Sequence, residues 1–478
     1  MTKAEMWLEA HMDRLTGDIC RLVEIPSISE PGGPEQAPFG EECAALLSCA
    51  LSIGERMGFE PVNHENYCGT LLWRGQREEE IGFFGHGDVV PAGSGWTCDP
   101  FQPMVKDKMI IGRGASDNKG SFMAALYALW FLKESGYQPR YSWRFFIGTN
   151  EEKGMEDVQY YAAHYQEPVF SLVPDVTFPV CNGEKGVLEL DAERKAESRV
   201  LVSFSSGIMS NAVPSDAWAV LWMDEVAATV LREKGCDVEA LETGPGAVPG
   251  TKQELGTGLY QVHVKGIAAH AAFPEESESA EGKLAQLLLD SGVLDEPAAE
   301  MMKSIVRLFQ DYYGAGLGVP FSDEISGKLT HVGGIASYEQ GVFRQNINIR
   351  YPVTADYEAM MAQIAETMAG EQFTLTKVHN SAPCYVSADS APVQKLVEVC
   401  RRHLDMDLQP FVMGGGTYAR KLKRAVGFGP GIPGKEKRFG TERGGAHQPD
   451  EYVELEHLKK AFLIYVDAIL ELDQMDEF

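Results

Sequence analysis

Ile81-Gly-Phe-Phe-Gly-His86-Gly-Asp88-Val-Val-Pro91 is the stretch that decides the fold. Ile81 to Phe84 reads as a short interior strand, and the glycines and proline after it read as a strand ending at a surface crevice. Side chains two apart in an extended chain share a face, so His86 and Asp88 are placed to touch each other or a common target. A carboxylate behind an imidazole fixes its tautomer and raises its basicity, the usual support for a metal-bound histidine. A histidine satisfied at a turn would carry the same three letters, so the rest of the chain has to decide.

Outward from this strand, apolar runs alternate with amphipathic helices. Residues 4–24 carry apolar side chains at helical spacing (Trp7, Leu8, Met12, Leu15, Ile19, Leu22, Val23), and a second helix is expected from about Phe39 to Met57. Strands are expected near Leu71 to Trp73 and at Trp143 to Ile147. Helices are expected from Ser121 to Glu134 and around Tyr160, Tyr161 and Tyr165. Alternation of this kind implies an α/β sheet, in which ligands gather at the carboxyl ends of the strands. From about Gly186 the texture changes: Leu188 to Asp191, Val200 to Phe204 and Gln261 to Lys265 look like strands with one wet face, 232–260 is rich in Gly and Glu, and a helix starts at Lys283. After about Pro383 a helix is expected at Ala391 to Leu404, a glycine-rich loop at Val412 to Arg420, and a closing acidic helix at Leu455 to Leu472. The organisation expected is therefore a first segment 1–185, an inserted region 186–383 and a second segment 384–478. No internal repeat or low-complexity tract interrupts it.

The chain has 478 residues, more than one core normally serves. Its formal net charge of -28 disfavours nucleic acid and anionic membrane surfaces as partners. The apolar run that includes Ala124 to Leu132 is too short to span a bilayer, and the charged first ten residues do not read as a signal peptide. Nine cysteines, an odd number with no CxxC pair, fit reduced thiols in the cytoplasm better than a disulfide framework.

Five places beyond expected strands or before helices carry metal-ligating residue types: His86 with Asp88, Asp117, Glu151 with Glu152, Asp175, and His447 in Gly444-Gly-Ala-His447-Gln-Pro-Asp450. Taken singly, each has a plain structural alternative. Asp117 can cap its helix, Glu151 and Glu152 can form a solvated turn, Asp175 can be a turn residue after proline, and His447 can be an ordinary loop histidine. Together they supply imidazole and carboxylate without thiolate, a set suited to zinc, manganese or cobalt. Two such ions about 3.5–4 Å apart can share a carboxylate, activate a bridging water and polarise a carbonyl. An unligated carboxylate must then carry the proton. Adjacent glutamates allow that division of labour, because consecutive side chains point apart.

At this point the sequence resembles the M20 metallopeptidase family, in particular its dipeptidase branch. The matching pieces are Gly85-His-Gly-Asp-Val-Val-Pro-Ala-Gly-Ser-Gly-Trp96, Arg113-Gly-Ala-Ser-Asp-Asn-Lys-Gly120, Gly148-Thr-Asn-Glu-Glu152, Pro174-Asp175 with Phe178-Pro179, Asn182-Gly-Glu-Lys-Gly186, Gly414-Gly-Gly-Thr-Tyr-Ala-Arg420 and Gly445-Ala-His-Gln448. The resemblance implies an α/β/α catalytic domain with a mixed sheet, of the zinc-exopeptidase type, and an inserted α+β lid. It implies that His86, Asp117 and Asp175 hold one metal, and Asp117, Glu152 and His447 the other. Asp117 then bridges, Asp88 supports His86, Glu151 is the general base, and the Asp117–Asn118 peptide is cis.

In the inserted region, Ala268-Ala-His270-Ala resembles the lid histidine that stabilises the oxyanion. Arg350, in Asn346-Ile-Asn-Ile-Arg-Tyr-Pro352, resembles the arginine that grips the substrate's C-terminal carboxylate. Asn211 is expected to contact substrate from the lid. The loop Gly414, Gly415, Gly416, Thr417 is expected to offer backbone N–H groups to the same carboxylate; lacking a GK[ST] ending, it is not a phosphate loop. The residues after His270 are bulkier, and the segment 434–443 longer and more charged, than the family pattern leads one to expect, which bears on substrate preference. The long insertion matches the doubled lid of the dipeptidase branch, whose second half substitutes for a partner subunit, so a monomer is expected. The reaction expected is hydrolysis of dipeptides with a free C-terminus on two divalent ions, zinc first and manganese or cobalt as alternatives. The rival readings are an N-acyl-amino-acid or succinyl-diaminopimelate deacylase on the same centre, and a catalytically silent metal-binding relative.

Overall fold

In the computed structural model, residues 1–241, 257–435 and 438–478 are described. Most of the Gly- and Glu-rich stretch read at 232–260, and two residues of the charged stretch 434–443, lie outside them. The chain divides into two units. The first comprises Met1–Gly183, Tyr385–Val412 and Gly416–Phe478; the second comprises Glu184–Cys384 with Met413–Gly415.

The first unit is built on a mixed sheet. Strand Glu80–His86 lies at its centre, parallel to Ser142–Gly148 on one side and to Phe170–Val173 on the other. Strand Ala425–Gly427 extends the parallel set beyond Phe170–Val173. Cys68–Trp73 and Glu60–His64 continue the other edge in antiparallel fashion. Both faces are covered, which is why the central strands are buried at nearly every position rather than alternating. Phe83 stacks with Trp143 and Phe145 and meets Tyr465 on one face. Its neighbour Phe84 stacks with Phe146 and meets Tyr161 on the other.

Helix Lys119–Glu134 is apolar all round its circumference and almost wholly buried, as a helix enclosed on every side must be. It packs with helices Lys3–Val23 and Leu455–Asp473 in one continuous core. It begins two residues before the Ser121 read from the pattern, because Lys119 and Gly120 already bond into its first turn. Tyr165, expected within a helix, is instead the extended residue just after helix Glu156–His164. Two short strands that the pattern does not show, Met104–Lys106 and Met109–Ile111, pair with each other and with Tyr452–Glu454. They tie the loop before Asp117 to the segment that follows His447.

The second unit is an eight-stranded sheet in which every neighbouring pair is antiparallel. Its order is Asp237–Ala240, Thr257–Lys265, Asp216–Asp224, Leu201–Ser206, Thr330–Glu339, Val342–Tyr351, Gly186–Lys195, Thr374–Ser381. Helices Glu225–Glu233, Ala280–Ser291, Glu296–Leu308 and Tyr357–Gly370 share a second core with its buried face. The strands alternate in burial, most regularly Gly186–Lys195, the mark of a sheet with one covered face.

Candidate metal centre

Parallel strands end at the same edge of a sheet, and the first unit uses that edge. His86 is the last residue of strand Glu80–His86 and stands in register with Gly148, the last of Ser142–Gly148. Glu151 and Glu152 follow in a short 3-10 turn. Asp175 follows strand Phe170–Val173 by two residues. Asp117 enters from the loop before helix Lys119–Glu134, and His447 from a loop in which it adopts a positive φ of 63°. All five sequence-expected ligands therefore meet in one place, together with Asp88 and Glu151.

Asp117 is the hinge of the arrangement. Its Oδ1 lies 3.1 Å from His86 Nε2 and its Oδ2 lies 3.1 Å from His447 Nε2, so its two oxygens face two different imidazoles. His447 Nε2 is also 3.0 Å from Glu152 Oε1, and His86 Nε2 is 3.7 Å from Asp175 Oδ2. Among the described residues, His86, Glu151 and Asp175 bring one donor atom each within 4.8 Å of one another, as do His86, Asp117 and Glu152. Glu151 thus sits within reach of a ligand position itself. The Asp117–Asn118 peptide is cis.

The polar groups around these residues hold their geometry. His86 Nδ1 lies 3.0 Å from the main-chain carbonyl of Asp88 and 3.5 Å from its carboxylate. A carbonyl can only accept, so Nδ1 carries a proton and Nε2 faces Asp117. The nearer support for His86 is therefore the backbone of Asp88. The carboxylate of Asp88 accepts the N–H groups of Glu151 and Glu152 at 3.1 and 3.0 Å, which fixes the turn that presents them. Asn118 donates to Asp175 Oδ1 at 2.8 Å and to the Pro174 carbonyl at 2.7 Å.

Glu451, which sequence reasoning missed, has its carboxylate fully buried and accepts four bonds: from Arg113 Nη1 (2.8 Å), Gly114 N (3.1 Å), Ser116 N (2.8 Å) and Asp117 N (2.9 Å). Only its position one residue past the quoted Gly444–Asp450 motif could have drawn attention to it.

Five carboxyl groups (Asp88, Asp117, Glu151, Glu152, Asp175) face two imidazoles in a mostly buried space. The electrostatics show the strain of that ratio. Hydrogen bonds donated to Asp117 and Glu152 hold the His447 imidazolium up to about 11. Burial opposes charge on His86, but bonds to Asp117 and Asp88 outweigh it and raise it well above an ordinary histidine. Burial, with the charge of Asp117 beside it, pushes Asp175 up to about 8. Burial likewise lifts Glu151 well above the usual carboxylate range: His86 pulls it back, and Asp175, Glu152 and Asp88 add to the rise. A crowd of buried carboxylates oriented by second partners, with nitrogen and oxygen donors only, fits divalent cations of the zinc, manganese and cobalt type.

The second unit holds most of the other expected residues. The Asn211 carbonyl accepts from Ala271 N at 2.9 Å, and Ala212 pairs with His270 across an isolated bridge. His270 Nδ1 accepts from Ala272 N at 3.2 Å, which puts the proton of the neutral ring on Nε2. Thr330 Oγ1 donates to the Ala271 carbonyl at 2.8 Å and stands opposite Arg350 in the sheet. Arg350 donates to Asn348 Oδ1 at 2.9 Å and to the Gly414 carbonyl at 3.1 Å. Asn211, His270, Arg350, Gly414 and Gly415 thus belong to one unit, while Gly416 and Thr417 fall in the first, where the Thr417 hydroxyl caps the turn Tyr418–Lys421.

A model of peptidase family M20/M25/M40 matches residues 82–471. The chain belongs to that family. This M20 peptidase is 35% identical over 476 residues to YtjP of Bacillus subtilis (strain 168), a protein provisionally named a dipeptidase, with 96% of this chain and 97% of the relative covered. It is 30% identical over 486 residues to the Beta-Ala-Xaa dipeptidase of Lactobacillus delbrueckii subsp. lactis, with 98% of each covered. Among solved structures, human carnosine dipeptidase 1 shares the fold at a TM-score of 0.57 and 15% identity, over 99% of this chain and 98% of that one. The protein is thus a peptidase of the M20 family, with relatives named as dipeptidases matching it over nearly their whole length. Among the described residues no helix is long and apolar enough to cross a membrane.

Proposed function

We propose that this M20 peptidase cleaves dipeptides bearing a free C-terminal carboxylate and uses two divalent ions, zinc in the first place. The observation that carries the reading is Asp117, whose two carboxylate oxygens face His86 and His447 separately. His86, Asp117 and Asp175 would hold one ion; Asp117, Glu152 and His447 would hold the other. Bound there, the ions would make water acidic enough to attack at neutral pH and would polarise the scissile carbonyl. Glu151, anchored through its main chain to Asp88, takes the proton from the attacking water and hands it to the leaving amine. His270, with its proton on Nε2, is assigned the developing oxyanion. Arg350 is assigned the substrate's C-terminal carboxylate, with Asn211, Gly415, Gly416 and Thr417 contributing polar contacts. The full-length similarity to a Beta-Ala-Xaa dipeptidase supports a dipeptide as substrate. We assign the working form as a monomer in the cytoplasm, where thiols remain reduced.

Glu151→Ala tests the assignment. It should bind two ions per chain by elemental analysis and lose turnover by a factor of about 10²–10⁴. Turnover near that of the unaltered enzyme would remove Glu151 from the reaction. A panel of dipeptides, tripeptides and N-acyl-amino acids, assayed with Zn²⁺, Mn²⁺ or Co²⁺, tests the substrate class.

A further inference from the structure

The backbone N–H groups of residues 149–152, four in a row, are received by two buried carboxylates of the first unit. Asp88 takes those of Glu151 and Glu152. Asp157 Oδ2 takes the two before them, Thr149 N at 2.7 Å and Asn150 N at 2.8 Å. Asp157 is no part of the ligand cluster. It lies in the first turn of helix Glu156–His164 and is fully buried. The same Oδ2 accepts a third bond, from the hydroxyl of Tyr418. Burial and the charge of Asp88 push Asp157 up to about 6, while the bonds from Tyr418 and the backbone pull it back. All three partners of that oxygen are donors, so the group works there as a carboxylate.

Tyr418 directly follows Thr417 and also belongs to the first unit. Its ring is buried with Phe84, Phe146, Val158 and Tyr161, a place that phenylalanine would fill as well. The hydroxyl is what phenylalanine lacks, and among the described residues its one hydrogen bond reaches Asp157. The strand end leaves room for it: a Cβ at Gly148 would overlap both the Tyr418 hydroxyl and the Asp157 carboxylate. The Tyr418 ring stands edge-on to His86, with centroids 6.3 Å apart at 90°. The terminal torsion of an aspartate is soft. Three donors converging on one oxygen fix it, and with the hydroxyl gone the carboxylate can turn and hold the Thr149 and Asn150 N–H groups less firmly.

We propose that Tyr418 is a positioning residue for Glu151. Its hydroxyl fixes Asp157, Asp157 fixes the main chain of Thr149 and Asn150, and the residue that follows presents its carboxylate to the attacking water. The proposal rests on the assignment of Glu151 as the base. Taking a proton from water requires hydrogen-bond contact, and a misplacement of about 1 Å can cost about 10²-fold in rate. Asp88 secures the two glutamates themselves, and Asp157 with Tyr418 secures the stretch of chain that leads into them.

Tyr418→Phe is the test, made on the full-length, metal-loaded enzyme well below its melting temperature. kcat should fall by about 10–100-fold, with KM within about twofold of the unaltered enzyme. Metal content by elemental analysis and the absorption spectrum of the Co²⁺-loaded form should not change. In the Glu151→Ala background the same substitution should alter the residual rate by less than about twofold, because the group it places is already gone. An unchanged kcat in Tyr418→Phe overturns the proposal. So does a lost ion or an altered cobalt spectrum, which would put the effect on His86 or Glu152. A full multiplicative loss in the Glu151→Ala background overturns it too, since that marks a general effect on the fold. Failure of the base assignment looks different: Glu151→Ala alone then turns over near the unaltered rate.

Discussion

Glu451→Gln is the substitution that probes the centre most directly without touching a ligand. The carboxylate is divided between two pairs of donors. Oε2 accepts from Arg113 and Gly114, and Oε1 from Ser116 and Asp117. An amide offers one oxygen and one NH2, so in either orientation two of the four donors face a donor. Keeping the oxygen on Arg113 avoids stranding a buried guanidinium, which is the worse outcome. The N–H groups of Ser116 and Asp117 then lose their acceptor. At about 1–3 kcal/mol for each unpaired buried donor, the cost to stability is about 2–6 kcal/mol. The backbone that swings free is that of Asp117, so both imidazole contacts loosen together, and metal affinity should fall by about 10–100-fold, the usual effect of removing such support. Thermal melting of chelator-stripped protein measures the first quantity, and calorimetric titration with Zn²⁺ or Co²⁺ measures the second. A Glu451→Gln protein that folds and binds metal within about twofold of the unaltered chain would show that Glu451 does not position Asp117.

Further outcomes follow from the same structure. His270→Ala should lower kcat by about 10²–10³ with metal content unchanged, checked by steady-state kinetics beside elemental analysis. Replacing the substrate's C-terminal carboxylate by an amide should lower kcat/KM by about tenfold or more if Arg350 reads that charge; equal rates would dismiss Arg350 from this role. In metal-free protein, Asp175 has its folded value raised from 3.8 to about 8, so its contribution to stability is full below pH 3.8 and is lost as pH rises towards 8. His447, raised from 6.5 to about 11, loses its contribution only between those values. Added Zn²⁺ replaces the missing protons, so the rise in melting temperature on metal addition should be larger at pH 8 than at pH 5. A rise that is equal at both values, or larger at pH 5, would contradict the assigned causes.

The positions of His86, Glu151, Glu152 and Asp175 were legible because each follows an apolar strand that can be recognised alone, and parallel strands deliver their ends to one edge. His447 was legible only through its motif, since its loop has no periodicity. Glu451 was not legible. It acts through backbone N–H groups at 114–117, more than three hundred residues earlier, and nothing local separates it from Glu454, which pairs with Lys435 and Arg438. The strands Met104–Lys106 and Met109–Ile111 escaped because three residues are too few to show an alternation. The turn between them places Asp107 and Lys108 at positive φ, which neither residue type announces as glycine would.

The first unit's discontinuity bears on how the enzyme is made. Glu152 and His447, in contact at 3.0 Å, are 295 residues apart in sequence. At roughly 5–20 residues per second of synthesis, the second imidazole leaves the ribosome about 15–60 s after the glutamate it must meet. Through most of that interval strand Phe170–Val173 lacks Ala425–Gly427 on its flank, and throughout it helix Lys119–Glu134 lacks the cover of Leu455–Asp473. The nascent chain therefore carries an exposed, sticky flank and half a chelating pocket. The ligand cluster is therefore complete only when nearly the whole chain has been made.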